Sequence, residues 1–387
     1  MTTAFPDSLL KEARAIHARQ FNRDASWAAV APGRVNLIGD HTDYTGGFAM
    51  PFAVDRFTVA LANEAPHSGH EVYTSSVDER VRIDVDAGHE PHPSGSWHDY
   101  ARGVIALLHD RGIGHSGLSI TLHGDVPIGR GLSSSASLEM AVATLLEAVS
   151  GQSLDPVEKV RVCQEAENVY TGMPCGILDQ YSVGMAKEGE LMLLDCRDVS
   201  STDVPVRSDE VCVLVADSRI RHELTDGQYA KRRQECHAAE EALGRSLRDV
   251  SSLSAGDIDD QDAFKRARHV VSENRRVLAM GQALSEGLYR DAGALMNASH
   301  ASLRDDFESS RPEVDLLVQV CNSVDGVFGA RMTGGGFGGS VVALVERDKA
   351  ETAAIQIELG YDAVTGLKTE PTAVSPVAGA TAVRIND

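Results

Sequence analysis

Three short stretches of this chain hold polar and glycine residues at spacings that suit chemistry on a phosphorylated or polyhydroxylated ligand. The first is PIGRGLSSSAS (Pro127–Ser137), in which two glycines and four serines run into a helical pattern. Gly129 and Gly131 can take backbone angles that other residues avoid, which lets main-chain N–H groups turn inward. Leu138, Val142, Leu145 and Val149 recur at helical spacing, so a helix begins at the serines. Its free N–H groups and the positive end of its dipole then converge there. Gly129, Arg130, Gly131, Leu132, Ser133, Ser134 and Ser135 thus outline an anion site suited to nucleotide phosphates. A serine hydroxyl could add one oxygen ligand for Mg²⁺. The same pattern also fits an ordinary helix start after a glycine turn.

The second stretch is APGRVNLIGDHTDYTGG (Ala31–Gly47). A short apolar piece, Val35 to Ile38, runs into Asp40, His41, Thr42 and Asp43 and ends in a glycine pair. Carboxylates packed beside an imidazole make a hydrogen-bonding set for a ligand rich in hydroxyls. Arg34, just before them, could sit over a transferred phosphoryl group. The third stretch is QEAENVYTGMPCGILDQYSVGMA (Gln164–Ala186). Glu167 ends one helical pattern and Asp179 opens the next, so two acids bracket a Gly-Met-Pro-Cys-Gly break. One could hold a metal while the other faces a hydroxyl.

Two familiar nucleotide signatures are excluded. No Gly-Lys pair occurs, so there is no GxxxxGK[ST] loop. GGGFGGSV (Gly334–Val341) fits GxGxxG in form, but a β-type run follows it where a dinucleotide site needs a helix. The chain also lacks the HRD and DFG of protein kinases.

The elements that must position these stretches follow from periodicity. Helices are expected at the N-terminus (Leu9, Leu10, Ala13 and Ile16 on one face), over HDYARGVIALLHD, from the cap Asp155 with Pro156 at the first position, and over GILDQYSVGMA. Strands are expected at Phe57–Asn63, Val81–Asp86, GLSITLHGDVP, Leu191–Cys196 and Val211–Ser218. From there to about Val324 the pattern is mostly helical, and a helix and a weak strand close the chain. At 387 residues, two units are expected, 1–200 and 201–387, with the break near 195–210. Their composition, 42% hydrophobic and 24% charged, suits a globular α+β protein with ample core. A net charge of −21 argues against non-specific nucleic-acid binding. Six scattered cysteines without a CxxC pair, no signal-like N-terminus and no apolar run of spanning length point to a cytoplasmic protein without membrane contact.

Taken together, the motifs resemble a known family. GRVNLIGDHTDYTGG resembles the galactokinase signature, PIGRGLSSSAS the shared nucleotide motif of the GHMP kinases, and MTGGGFGGS their third motif. SRIRHELTDGQYAKRRQEC and CGILDQ are also similar to galactokinases. The matches run in family order over nearly the whole chain. The resemblance implies a two-domain GHMP kinase fold with mixed sheets and helices and an active site in the cleft between domains. It implies transfer of phosphate from ATP to the anomeric hydroxyl of galactose. A monomer is expected. Carried over by position, Gly129 to Ser135 wrap the ATP phosphates, and Ser135 and Glu167 hold Mg²⁺. Asp179 is the catalytic base and Arg34 stabilises the transferred group. Asp40, His41, Thr42, Asp43 and Tyr229 bind the sugar, and Trp97 and Tyr100 lie near the adenine. The family usually carries glutamate where this chain has Asp40, whose carboxylate reaches roughly 1.5 Å less. Two other readings stay open: a GHMP kinase for another small alcohol such as N-acetylgalactosamine, and a non-catalytic sensor of galactose and ATP.

Overall fold

The computed structural model describes residues 6–84, 91–220 and 225–385. The chain begins with α1 (Asp7–Phe21), β1 (Trp27–Asn36), β2 (Phe48–Ala49), β3 (Pro51–Glu64), β4 (His70–Thr74) and β5 (Glu79–Ile83). It continues through α2 (His98–Asp110), β6 (Leu118–Gly124), α3 (Ser134–Ser150), α4 (Pro156–Ala166), α5 (Leu178–Met185), β7 (Glu190–Asp195) and β8 (Ser200–Pro205). Then come β9 (Val211–Asp217), α6 (Thr225–Leu243), α7 (Gln261–Glu286), α8 (Tyr289–Asp305) and α9 (Pro312–Ser323). The last elements are β10 (Val327–Thr333), β11 (Ser340–Glu346), α10 (Ala350–Thr365), β12 (Thr372–Val374) and β13 (Thr381–Arg384).

These strands form three sheets. The first has the order β13-β1-β3-β6-β4-β5, and β4 and β6 are its parallel pair. The second is β10-β11-β9-β12, and the third is β2-β7-β8. β1 is buried on both faces. Ala28 and Val30 pack toward α1, whereas Ala29 and Ala31 share a core with α2 and α3. A strand buried on two sides shows no apolar-polar alternation, which is why only its end, near Val35, stands out in the sequence. α3 is buried on nearly every side, not on one face as its spacing suggests, because it packs against β1, β3, α2, α4 and α5. Leu138 and Val149, expected in the core, are only partly buried.

The Asp155 cap is formed as expected: its carboxylate accepts from the N–H groups of Val157 and Glu158. The strand expected over Val81–Asp86 ends at Ile83, and its last two positions lie outside the described residues. Strand pairing crosses the division drawn at residue 200. Ser200 opens β8, which pairs along its length with β7, and β13 returns to pair with β1. Among the described residues no helix is long and apolar enough to cross a membrane, and all six cysteines are unpaired.

Candidate functional site

The site begins at an irregularity in β1. Its pairing with β3 shifts between Pro32 and Gly33, where proline has no N–H to give the ladder. A Cβ on Gly33 would lie 2.8 Å from the Leu132 carbonyl oxygen, so the serine loop rests directly on the strand. The next residue, Arg34, donates its backbone N–H to that same carbonyl at 3.1 Å. Its guanidinium donates to the Gly131 carbonyl at 2.6 Å and to Asp179 Oδ1 from Nε at 2.8 Å. Nη2 lies 2.6 Å from the same oxygen. Ser133 Oγ donates to the other Asp179 oxygen at 2.5 Å. Ser133 has left-handed backbone angles (φ 54°, ψ 54°) and no side chain caps α3. The first-turn N–H groups of this helix are therefore left for a ligand.

The loop of Gly39 to Asp43 is held from behind by residues of the second half. Asp40 is buried, accepts from Asn36 Nδ2 at 3.1 Å and from the Gly334 N–H at 3.2 Å, and pairs with Arg331. Arg331, fully buried on β10, also reaches the carbonyl of Leu37 at 3.2 Å. His41 sits at φ 65° with its ring stacked on Phe307 at 4.3 Å between centroids. Burial, with His269, Arg232 and Arg331 nearby, holds its pKa well below the usual histidine range. Its Nδ1 lies 3.1 Å from the Tyr44 hydroxyl, and Nε2 has no partner among the described residues.

Glu273, fully buried on α7, accepts from the Gly39 N–H at 3.0 Å, from Ser299 Oγ at 2.5 Å and from Arg276 Nε at 2.6 Å. Burial would raise its pKa, but Arg276, His269 and Arg331 outweigh that and hold it at about 2. A carboxyl with a depressed folded pKa stabilises the protein above its unfolded pKa, and that contribution fades as pH falls toward the folded value. Glu273→Gln is expected to cost about 3 kcal/mol at pH 7. Denaturant unfolding should show the gap narrowing once pH drops below about 4.5. A gap that stays constant down to acid pH would contradict the assignment.

The acids of the third motif face the serine loop. Asp179 lies in the first turn of α5. Glu167 stands where α4 gives way to a π turn over Glu167–Thr171. Burial, then repulsion from Asp179, raises Glu167 to about 7, and Ser135 hydrogen-bonds to it. The same two causes raise Asp43 to about 6. Gln180 Nε2 donates to Glu167 at 2.5 Å and to Glu139 at 2.9 Å. Glu139 is fully buried beneath, and burial with the charge of Glu167 pushes it well above the usual range. Gly176 must be glycine, because a Cβ there would meet an Asp43 carboxylate oxygen at 1.8 Å.

These parts enclose a cavity of about 480 Å³. Arg34, Asp40, His41, Asp43, Glu167, Asp179, Tyr229, Gly129, Gly131 and the Gly334–Gly339 loop all line it. The glycine loop closes onto the serine loop: Ser340 Oγ donates to the Arg130 carbonyl at 2.7 Å, and a Cβ on Gly131 would lie 3.3 Å from the Thr333 carbonyl oxygen. On the other side of the serine loop, Trp97 and Tyr100 line a cavity of about 180 Å³ with Ser134 and Ser135.

Three expected contacts are placed differently. Thr42 is fully buried and does not line the cavity. Its hydroxyl lies 2.8 Å from the Gly39 carbonyl and 2.7 Å from that of Phe48, so it fixes the turn instead of meeting a ligand. The Arg130 guanidinium pairs with Asp217 at 3.1 Å, and the Leu132 side chain is buried in the core, so only their backbone belongs to the loop. Arg331, Glu273, Gln180 and Glu139 were not singled out in the sequence. A lone arginine inside the apolar run of β10 was the one local signal.

Residues 99–187 match the GHMP kinases N terminal domain, residues 281–360 the GHMP kinases C terminal domain, and residues 15–64 the galactokinase galactose-binding signature. The chain is 38% identical to the galactokinase of Actinobacillus succinogenes over 369 residues, 92% of this chain and 95% of that one. It is 40% identical to the galactokinase of Homo sapiens, covering 91% of this chain and 92% of the other. Among solved structures, Lactococcus lactis galactokinase complexed with galactose superposes with a TM-score of 0.90 at 31% identity, over 96% of this chain and 99% of that one. A mevalonate kinase shares the fold at a TM-score of 0.67 and 17% identity, over 90% of this chain and 98% of the other.

Proposed function

The chain belongs to the galactokinase family of the GHMP kinases, and on that premise we propose that it transfers the γ-phosphoryl group of ATP to the C1 hydroxyl of galactose, giving galactose 1-phosphate. The observation that carries this reading is the Asp179 carboxylate, gripped by Arg34 and Ser133 at the open mouth of α3. Phosphoryl transfer asks for position and charge neutralisation more than covalent chemistry. The first-turn N–H groups of α3 and the glycines of the loop receive the triphosphate. The galactose ring lies against His41, Asp43 and Tyr229, and the orphaned His41 Nε2 gains a hydroxyl partner. Asp179 accepts the proton of the C1 hydroxyl, and Arg34 balances charge on the moving group. The adenine takes the cavity of Trp97 and Tyr100.

The donor set also fits Mg²⁺. A buried Glu167, raised to about 7 by burial and Asp179, accepts a hydrogen bond from the Ser135 hydroxyl. Mg²⁺ keeps most of its water and phosphate ligands and asks a protein for only one or two oxygens. Ser135 and Glu167 would hold it, and it would offset triphosphate charge. Glu167→Ala should raise the Mg²⁺ concentration for half-maximal rate by about tenfold or more, read from a metal titration. An unchanged titration would remove Glu167 from that role. Residues 1–200 bring the sugar and phosphate loops and 201–387 the glycine loop, while the unpaired cysteines suit a reducing cytoplasm.

The test is ADP release with galactose, glucose, talose and N-acetylgalactosamine compared side by side. Galactose should give the highest kcat/KM, with galactose 1-phosphate as product. A higher value for any of the other three, or release without sugar phosphorylation, would contradict the reading.

A further inference from the structure

A larger cavity, about 650 Å³, opens elsewhere in the first half of the chain. It lies between β4, the end of β5 and the loop from α2 to β6, and it shares no lining residue with the cleft. His109, one of its lining residues, sits near the C-terminal end of α2, whereas Trp97 and Tyr100 mark the other end. About three helical turns, roughly 15 Å, therefore separate it from the nucleotide side.

Its chemistry is specific. His70 opens β4, is only 4% exposed, and its Nδ1 has no partner among the described residues. A buried imidazole nitrogen left unpaired is costly, and a ligand that pairs with it gains by the same amount. Burial, with His115 and His109 nearby, pushes His70 down to about 4, so it is uncharged at neutral pH. Arg82 Nε donates to both oxygens of Asp84 at 3.0 and 2.9 Å, and Nη2 donates to the Ser68 carbonyl at 2.7 Å. The lining charges thus cancel, which does not favour a phosphate. Ile105, Ile113 and Leu146 supply an apolar floor beneath these polar groups. A planar guanidinium, a carboxylate and imidazoles over an apolar floor match a pyranose, with hydroxyls on its rim and C–H groups on its face. A hydroxyl can donate or accept, so it satisfies His70 in either tautomer.

We propose that this cavity is a second saccharide site, which takes a neutral hexose against His70, Arg82 and Asp84. The choice of galactose as probe rests on the proposed reaction. The experiment titrates galactose into the full chain carrying ¹⁵N-labelled histidine. His41 reports the cleft, and His70 and His115 report the second cavity. His70 and His115 should shift saturably, at higher galactose than His41 does. In Arg82→Gln, an exposed substitution, the midpoint at His70 should rise about tenfold or more, with the His41 response and kcat unchanged. Inorganic phosphate should leave His70 unmoved. No saturable shift at His70, a shift indifferent to Arg82→Gln, or a response to phosphate in place of galactose would each overturn the proposal. Failure of the proposed reaction would appear at His41 instead.

Discussion

Asp179→Asn is expected to lower kcat by about 10²–10⁴-fold, the range for a lost general base, while both substrates still bind. Asparagine keeps the shape of the side chain and can still meet Ser133 and Arg34, so the mouth of α3 should stay assembled. It cannot take a proton from the C1 hydroxyl. The two KM values should therefore move far less than kcat, which marks loss of an interaction made in the transition state. The substitution has a second consequence. The Asp179 charge helps raise both Glu167 and Asp43, so both carboxyls should titrate lower in the variant. Carboxyl-resolved NMR reads that shift independently of turnover. Wild-type turnover in Asp179→Asn would remove it as the base.

Arg34→Gln is expected to cost about 10³-fold or more in kcat, the scale seen when an arginine that faces a transferring phosphoryl group is lost. The large effect follows from its position. Arg34 touches Asp179, the proposed base, through two nitrogens and the serine loop through the Gly131 carbonyl, so in the proposed reaction it would set the spacing between base and phosphate. Lysine keeps the charge but not the planar fork. Arg34→Lys should thus recover only part of the rate, and kcat for the two variants separates the charge from the geometry. Equal activity of the glutamine variant and the parent would contradict the assignment.

Much of the lining of this cleft was legible in the sequence because the candidate residues lie in short runs. Arg34 to Asp43 is one strand end and one turn, Gly129 to Ser135 is one loop, and Glu167 and Asp179 flank one break. Local spacing reveals such runs. What holds them was not legible. Arg331 reaches Asp40 from 291 positions away, and Glu273 reaches Gly39 from 234 positions away. Nothing local to either partner announces the pair. Thr42 misled for a related reason: a threonine beside acids reads as a ligand contact, yet a tight turn also needs a hydroxyl for its carbonyls. The first sheet shows a third limit. β1 is buried on both faces, so the alternation that marks a half-buried strand is missing. The division at 200 could not anticipate that β13, at the far end of the chain, would pair with β1.

The most direct test is a crystal structure with galactose and a non-hydrolysable ATP analogue bound together. The account predicts the C1 hydroxyl within about 3 Å of an Asp179 oxygen, the terminal phosphate between Arg34 and the first turn of α3, and the adenine against Trp97 and Tyr100. A sugar turned so that another hydroxyl meets Asp179, or a triphosphate lying away from the serine loop, would contradict it.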